Sequence, residues 1–227
     1  MSAKFFVAFF SAMILAAHAD EPLKTIEDRL AEYGQNAQER LAPKFAAAGL
    51  SFPPQHLVFV GIKKDRVLEV YGAKTENEFR FVCTYPVLAA SGTLGPKLRE
   101  GDLQVPEGIY RVRELNPNSL YHLSIWIDYP NEFDLARAAE EGRTEPGSEI
   151  MIHGGDGSRG CLAMGDEASE DLFVLSTLAR IENITIVLTP VDFRKDSLGE
   201  LPSNAPIWSH ELYEQIKVEL ARYPRRE

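Results

Sequence analysis

Only two cysteines, Cys83 and Cys161, occur among the 227 residues, too few for a fold stapled by disulfides. No HxxH or CxxC pair is present, and structural and catalytic zinc sites normally show such ligand spacing, so a zinc hydrolase built on His153, Cys161 and Asp156 is disfavoured and no cofactor or metal is expected. Runs of basic residues are missing as well. The 24 Lys and Arg face 34 Asp and Glu for a formal charge of −10, which argues against a nucleic-acid partner, because such binding neutralises phosphates with clustered positive charge. Glycine and proline, at 16 and 14, stay near average usage, and no internal repeat or low-complexity linker interrupts the chain. Beyond the first nineteen residues no apolar stretch approaches the ~20 residues that span a bilayer, so no transmembrane segment is expected in the mature chain.

What is present is the composition of a globular protein, 44% apolar and 26% charged, long enough to bury roughly 70% of its unfolded surface around one core. The N-terminus is set apart. Lys4 precedes the uncharged, largely apolar run Phe5 to Ala17, and Ala17-His18-Ala19 places small residues at −3 and −1 of a cut after Ala19. That is the pattern of a secretory signal, expected over residues 1–19, so the chain is expected to be exported.

From Thr25 to Ala48, Ile26, Leu30, Tyr33, Ala37 and Leu41 recur at helical spacing, with Pro43 expected to kink or split the helix. After Pro53-Pro54 the pattern turns to short β-prone runs at 57–62, 66–71, 79–85, 108–112 and 120–127, separated by turn residues. A short helix is expected at 133–141, a strand at 149–153 ending on His153, a helix at 167–180 capped by Asp166, a strand at 184–188, and a helix at 209–223. The fold class is therefore mainly β with flanking helices. Four units are expected: the signal at 1–19, a helical element at 20–54, a β-rich domain at 55–192 and an extension at 193–227.

The chemistry concentrates in His153-Gly154-Gly155-Asp156-Gly157-Ser158-Arg159-Gly160-Cys161. Four glycines in seven positions forbid a regular helix and let backbone approach a ligand closely. A cysteine attacks as its thiolate, scarce at neutral pH when the reference value is about 8.5, so a nearby imidazole is the usual activator. A tight loop can bring His153 to Cys161, with the N–H groups of Gly160 and Cys161 turned toward a developing oxyanion. Spacing alone also fits a Gly-rich surface loop carrying an incidental cysteine and a structural histidine. Cys83, inside a β-prone run, reads as a small buried apolar residue.

The residue order narrows this. Ile152-His153-Gly154 followed by Ser158-x-Gly160-Cys161-Leu162-x-Met164 resembles the active-site signature of the L,D-transpeptidase (YkuD-type) catalytic domain, and the likeness extends over about residues 57 to 190. Ala90-Ser91-Gly92, Gly95-Pro96-Lys97 and Glu100 to Tyr110 resemble the family's segment entering a TPxGxY strand. Tyr121-His122-Leu123-Ser124 and Asp128-Tyr129-Pro130-Asn131 resemble its YafK-like branch. Arg159 replaces the second histidine of the usual Ser-His-Gly-Cys, and Ala163 replaces the arginine two residues after the cysteine.

The resemblance implies a YkuD-like β-sandwich or barrel with the catalytic cysteine in a loop before a helix, and periplasmic acyl transfer on peptidoglycan stem peptides. It implies Cys161 as nucleophile, His153 as base, and Ser158 and Gly160 as residues shaping the site. Arg159, Lys97, His122 and Gly154 are candidate substrate contacts, although His122 also reads as a structural histidine, and Lys97, Arg99 and Arg159 also read as solvated surface charges. Attack by an amine on the thioester gives a crosslink, and attack by water gives cleavage; members of the YafK-like branch are associated with detaching a wall-linked lipoprotein, a possible further partner. A wall-binding module without turnover is the remaining alternative. The mechanism requires a free Cys161, hence no Cys83–Cys161 bridge.

Overall fold

The computed structural model describes residues 22–199 and 205–224. The expected signal segment at 1–19 lies outside the described residues. The chain opens with helix α1 (Ile26–Ala47), whose N-cap Thr25 forms a reciprocal capping box with Asp28. Ala37, Leu41 and Phe45 form its fully buried stripe. Pro43 sits inside this helix, which runs unbroken for 22 residues; the expected split does not occur.

Strands β1 (His56–Ile62), β2 (Val67–Ala73), β3 (Arg80–Pro86), β4 (Ala89–Ala90), β5 (Gly108–Ser119) and β6 (His122–Ile127) follow, then helix α2 (Glu132–Glu140), strands β7 (Met151–His153) and β8 (Leu162–Ala163), helix α3 (Asp166–Ala179), strand β9 (Ile184–Thr189) and helix α4 (Ser209–Leu220). The nine strands form one mixed sheet in the order β3-β2-β1-β9-β5-β6-β7-β8-β4. β1 pairs with β9, and β7 with β8, in parallel; the other pairs are antiparallel. β3 and β4 lie at opposite ends of this order yet are joined by only Val87 and Leu88, so the sheet wraps round on itself.

The unbroken apolar run of β1 explains its central place, because a strand covered on both faces needs no polar alternation. Leu57 and Phe59 enter one core with Leu41 and Phe45 of α1 and Leu172 and Leu175 of α3. Val58, Val60 and Ile62 enter a second core with Leu212, Ile216 and Leu220 of α4. The fold is thus a mixed β-sheet with flanking helices. Two features had no periodic signal: β4 and β8 are two residues long, and β5 runs seven residues past its expected end. Because β8 intervenes, Cys161 leads into a short strand before the helix begins.

α4 is tied to the sheet by buried polar contacts. Tyr213 Oη donates to Glu107 (2.7 Å), whose other oxygen meets Lys63 Nζ at 2.9 Å. Glu107 also accepts from Gly95 N–H (2.8 Å), which fixes the segment between β4 and β5 from below.

Candidate active site

β7 and β8 run parallel with Ile152 beside Leu162 and His153 beside Ala163. Continuing that register one residue back sets Cys161 beside Met151. His153 closes β7 and Cys161 immediately precedes β8, so the two residues flank the same parallel strand pair, offset along the diagonal. Strand spacing and rise put such diagonal positions ~8 Å apart at the backbone, within reach of side chains and a substrate atom between them. Both residues are buried, His153 at 1% exposure and Cys161 at 7%.

The imidazole is held in one tautomer. Nδ1 donates to the Gly154 carbonyl at 2.6 Å, leaving Nε2 with its lone pair. The Tyr121 ring lies over it, centroids 4.6 Å apart. Burial lowers the pKa of His153 below the ordinary histidine value, only partly opposed by the Gly154 bond. Burial pushes the Cys161 thiol up, only partly opposed by the Met151 backbone and then by the charge of Lys97. The resting pair is therefore thiol and neutral imidazole. Cys161 Sγ contacts the Glu149 carbonyl at 3.7 Å, and no hydrogen bond joins it to His153 among the described residues. Catalytic bonds of this kind often tighten only when substrate is bound.

A residue that the sequence pattern did not single out organises the loop. Ser91 Oγ accepts from Gly160 N–H at 2.6 Å and donates to the Leu103 carbonyl at 2.7 Å. Its own N–H donates to Ser158 Oγ (3.0 Å), and that hydroxyl donates to the Cys161 carbonyl at 2.7 Å. Each hydroxyl has one proton and each is spent, so the pair forms a clamp around the Cys161 turn. Ser158 thus bridges the Ser91 N–H and the Cys161 carbonyl. Gly160 differs from expectation: its N–H is committed to Ser91 and is not turned toward an oxyanion.

Gly154 is required by contact rather than by φ. A Cβ there would meet Asp166 Oδ1 and the Tyr121 carbonyl, each at 2.7 Å. Asp166 is not the N-cap; Gly165 holds that position, and the Asp166 carboxylate accepts from Gly155 N–H at 2.8 Å, closing the loop onto α3. Ser124 sits directly across from His153 on β6, 1% exposed, and among the described residues its hydroxyl has no hydrogen-bond partner.

The other candidates separate. Lys97 is not a solvated surface charge: it is 5% exposed, with Nζ 2.5 Å from Asp102 and 2.9 Å from the Arg99 carbonyl. His122 has Nε2 3.1 Å from Glu170 and its ring edge-on to Tyr33 of α1. Glu170 continues to Arg40, which also holds Asp171 (2.7 Å), so this network ties α1 to α3 and β6. Arg159 is exposed and makes no ion pair among the described residues. Three non-glycine residues around the site hold positive φ: Leu103 (55°), His122 (71°) and Glu149 (56°), conformations that cost free energy and concentrate where geometry is functionally constrained. Cys83, on β3 with its pKa pushed up to about 11 by burial, is a free thiol, as is Cys161. Among the described residues no group of three or more His, Cys, Asp or Glu is arranged to hold a metal ion, and no helix is long and apolar enough to cross a membrane.

The sequence profile of the L,D-transpeptidase catalytic domain, YkuD, matches residues 55–189. The curated Escherichia coli K12 protein named "Putative L,D-transpeptidase YafK" is 36% identical over 121 residues, 52% of this chain and 46% of that protein. The chain thus spans about half the length of the curated relatives it matches. Among solved structures, the helical cell shape determining protein Pgp2 from Campylobacter jejuni aligns at 18% identity with a TM-score of 0.48, covering 76% of this chain and 71% of that one. Bd1075 from Bdellovibrio bacteriovorus aligns at 23% identity with a TM-score of 0.42, covering 74% and 55%.

Proposed function

Since the chain belongs to the YkuD family of L,D-transpeptidase catalytic domains, whose members are cell-wall enzymes, we propose that it is an exported, periplasmic cysteine acyltransferase acting on peptidoglycan stem peptides. The observation that supports this reading is the placing of His153 at the end of β7 and of Cys161 immediately before β8, its parallel neighbour, with His153 Nδ1 pinned to the Gly154 carbonyl and Nε2 keeping its lone pair.

Cys161 Sγ attacks the carbonyl at the L-centre of a meso-diaminopimelate residue, and His153 Nε2 takes the thiol proton as the C–S bond forms. The tetrahedral intermediate collapses by breaking the C–N bond to the following residue, and the imidazolium returns the proton to the departing amine. A thioester on Cys161 remains. An amine acceptor attacks it to give a new amide and regenerates the thiol; water in the same position gives the free acid. Burial of both groups suits this order of events, because a neutral thiol and neutral imidazole carry no resting charge in a desolvated site, and charge develops only as the proton moves.

The test is incubation of the protein with defined muropeptides and with a wall-linked lipoprotein, products read by mass spectrometry. Crosslinked dimers identify an amine acceptor, released peptide identifies water, and both must vanish in Cys161→Ala. A carbapenem should add its mass to the wild-type protein and not to Cys161→Ala. Saturable muropeptide binding with no product and no adduct overturns the enzymatic reading.

A further inference from the structure

A cavity of about 430 Å³ has Gln104 in its wall, a residue whose backbone approaches the Cys161 loop. Its walls come from the 93–104 segment, from Arg143 and from Ala205 and Pro206. It shares backbone with the nucleophile turn: the Gln104 carbonyl stands 3.4 Å from where a Gly160 Cβ would be, and Ser91 Oγ bonds both Leu103 and Gly160.

The charges on its wall are unequal. Asp102 is the carboxylate in the wall, and its two oxygens already receive Lys97 Nζ and the N–H groups of Leu98, Arg99 and Gln104. Arg143 is spent on Glu141 (2.7 Å) and on the Leu98 carbonyl (2.7 Å). Glu100, the neighbour best placed to neutralise Arg99, instead accepts from Ser148 N–H at 3.0 Å. Arg99 is exposed and makes no side-chain hydrogen bond or ion pair among the described residues. In a chain of net charge −10, one uncompensated guanidinium on the wall of a peptide-sized cavity beside a nucleophilic cysteine is a charge waiting for an anion. A guanidinium presents paired N–H donors in a fork that matches a carboxylate. The cavity volume falls within the range of peptide and small-ligand sites.

We propose that this cavity is a carboxylate-binding subsite for the substrate peptide, with Arg99 as the residue that recognises the carboxylate; the identity of the peptide rests on the function proposed above, the anion preference does not. Lys97 and Asp102 hold the Arg99 backbone in place, and Arg143 braces the same wall through Leu98.

The experiment measures binding rather than turnover. Cys161→Ala protein is titrated calorimetrically with the tetrapeptide L-alanyl-D-glutamyl-meso-diaminopimelyl-D-alanine and with the forms in which each carboxylate in turn is a carboxamide. One amidation should weaken binding about tenfold, the scale of a lost charged hydrogen bond. Adding Arg99→Gln should weaken the parent peptide by the same factor, leave that amidated form unchanged, and so abolish the discrimination, while Arg99→Lys recovers part of it. Equal affinity for all forms, an Arg99→Gln variant that binds the parent unchanged, or a uniform loss across all peptides each overturns the subsite. If discrimination holds but the wild-type protein neither turns over muropeptides nor takes up a carbapenem, the enzymatic reading falls and the subsite stands.

Discussion

Ser91 Oγ accepts a 2.6 Å hydrogen bond from the backbone of Gly160, the residue immediately before Cys161. Sixty-nine positions separate the two in sequence, yet this contact and the Ser158 bond to the Cys161 carbonyl set the direction in which the nucleophile leaves its turn.

Ser91→Ala is accordingly expected to lower kcat about 10- to 100-fold, the scale of an ångström-sized misplacement of a reacting group, with KM within about twofold. Leaving Gly160 N–H unpaired should cost about 1–3 kcal/mol in urea unfolding. Ser91→Thr, which keeps a hydroxyl, should recover much of the rate. A variant in which KM rises and kcat holds would assign Ser91 to substrate binding instead.

Tyr121 covers His153, and burial holds the imidazole's pKa below its ordinary value of about 6.5. The base works only when unprotonated, so activity should persist as pH falls through 6.5 and be lost below it. Uncovering the ring in Tyr121→Ala relieves desolvation, raises the histidine pKa and moves the acid limb of the kcat/KM profile to higher pH; Tyr121→Phe should leave the limb in place. A limb that does not move in Tyr121→Ala would show that the stacked ring is not what keeps the imidazole dry.

The charge of Lys97 opposes the desolvation that raises the Cys161 thiol. Replacing it by Met should slow iodoacetamide alkylation of Cys161 at pH 7.5 by several-fold and shift the alkylation midpoint upward. Because Asp102 would then be left without its partner, Lys97→Met/Asp102→Asn is the control for folding. The double variant should retain the wild-type unfolding midpoint more closely and still react slowly; wild-type reactivity in it would refute an electrostatic role.

Most helices and most of the strands were legible because each carries enough residues for a period to show: the buried stripe of α1 and the continuous apolar run of β1 state their own partners. The candidate pair His153 and Cys161 could be named from the sequence because glycine density and residue order mark the segment locally. β4 and β8 were not, since two residues carry no period. Ser91 and Tyr121 escaped because each acts on a residue thirty or more positions away, through contacts that only the wrapped sheet creates. Lys97 was misplaced because lysine is seldom buried, and its partner Asp102 makes the exception possible.

The central strand of the sheet also fixes when the site comes into being. β9 lies between β1 and β5 although it is the last strand of the chain, so the two parts of the sheet that it joins have no direct seam until residues 184–189 exist. Such a topology postpones the cooperative step of folding until β9 docks, when the closure of a long loop is finally rewarded. A chain ending at Asn183 should show no cooperative urea transition, and one ending at Val191 should regain one at lower midpoint. That order also governs the Cys161 turn: the β7–β8 segment that frames it belongs to the part of the sheet that β9 joins to β1, so the turn gains its full support only when β9 is in place.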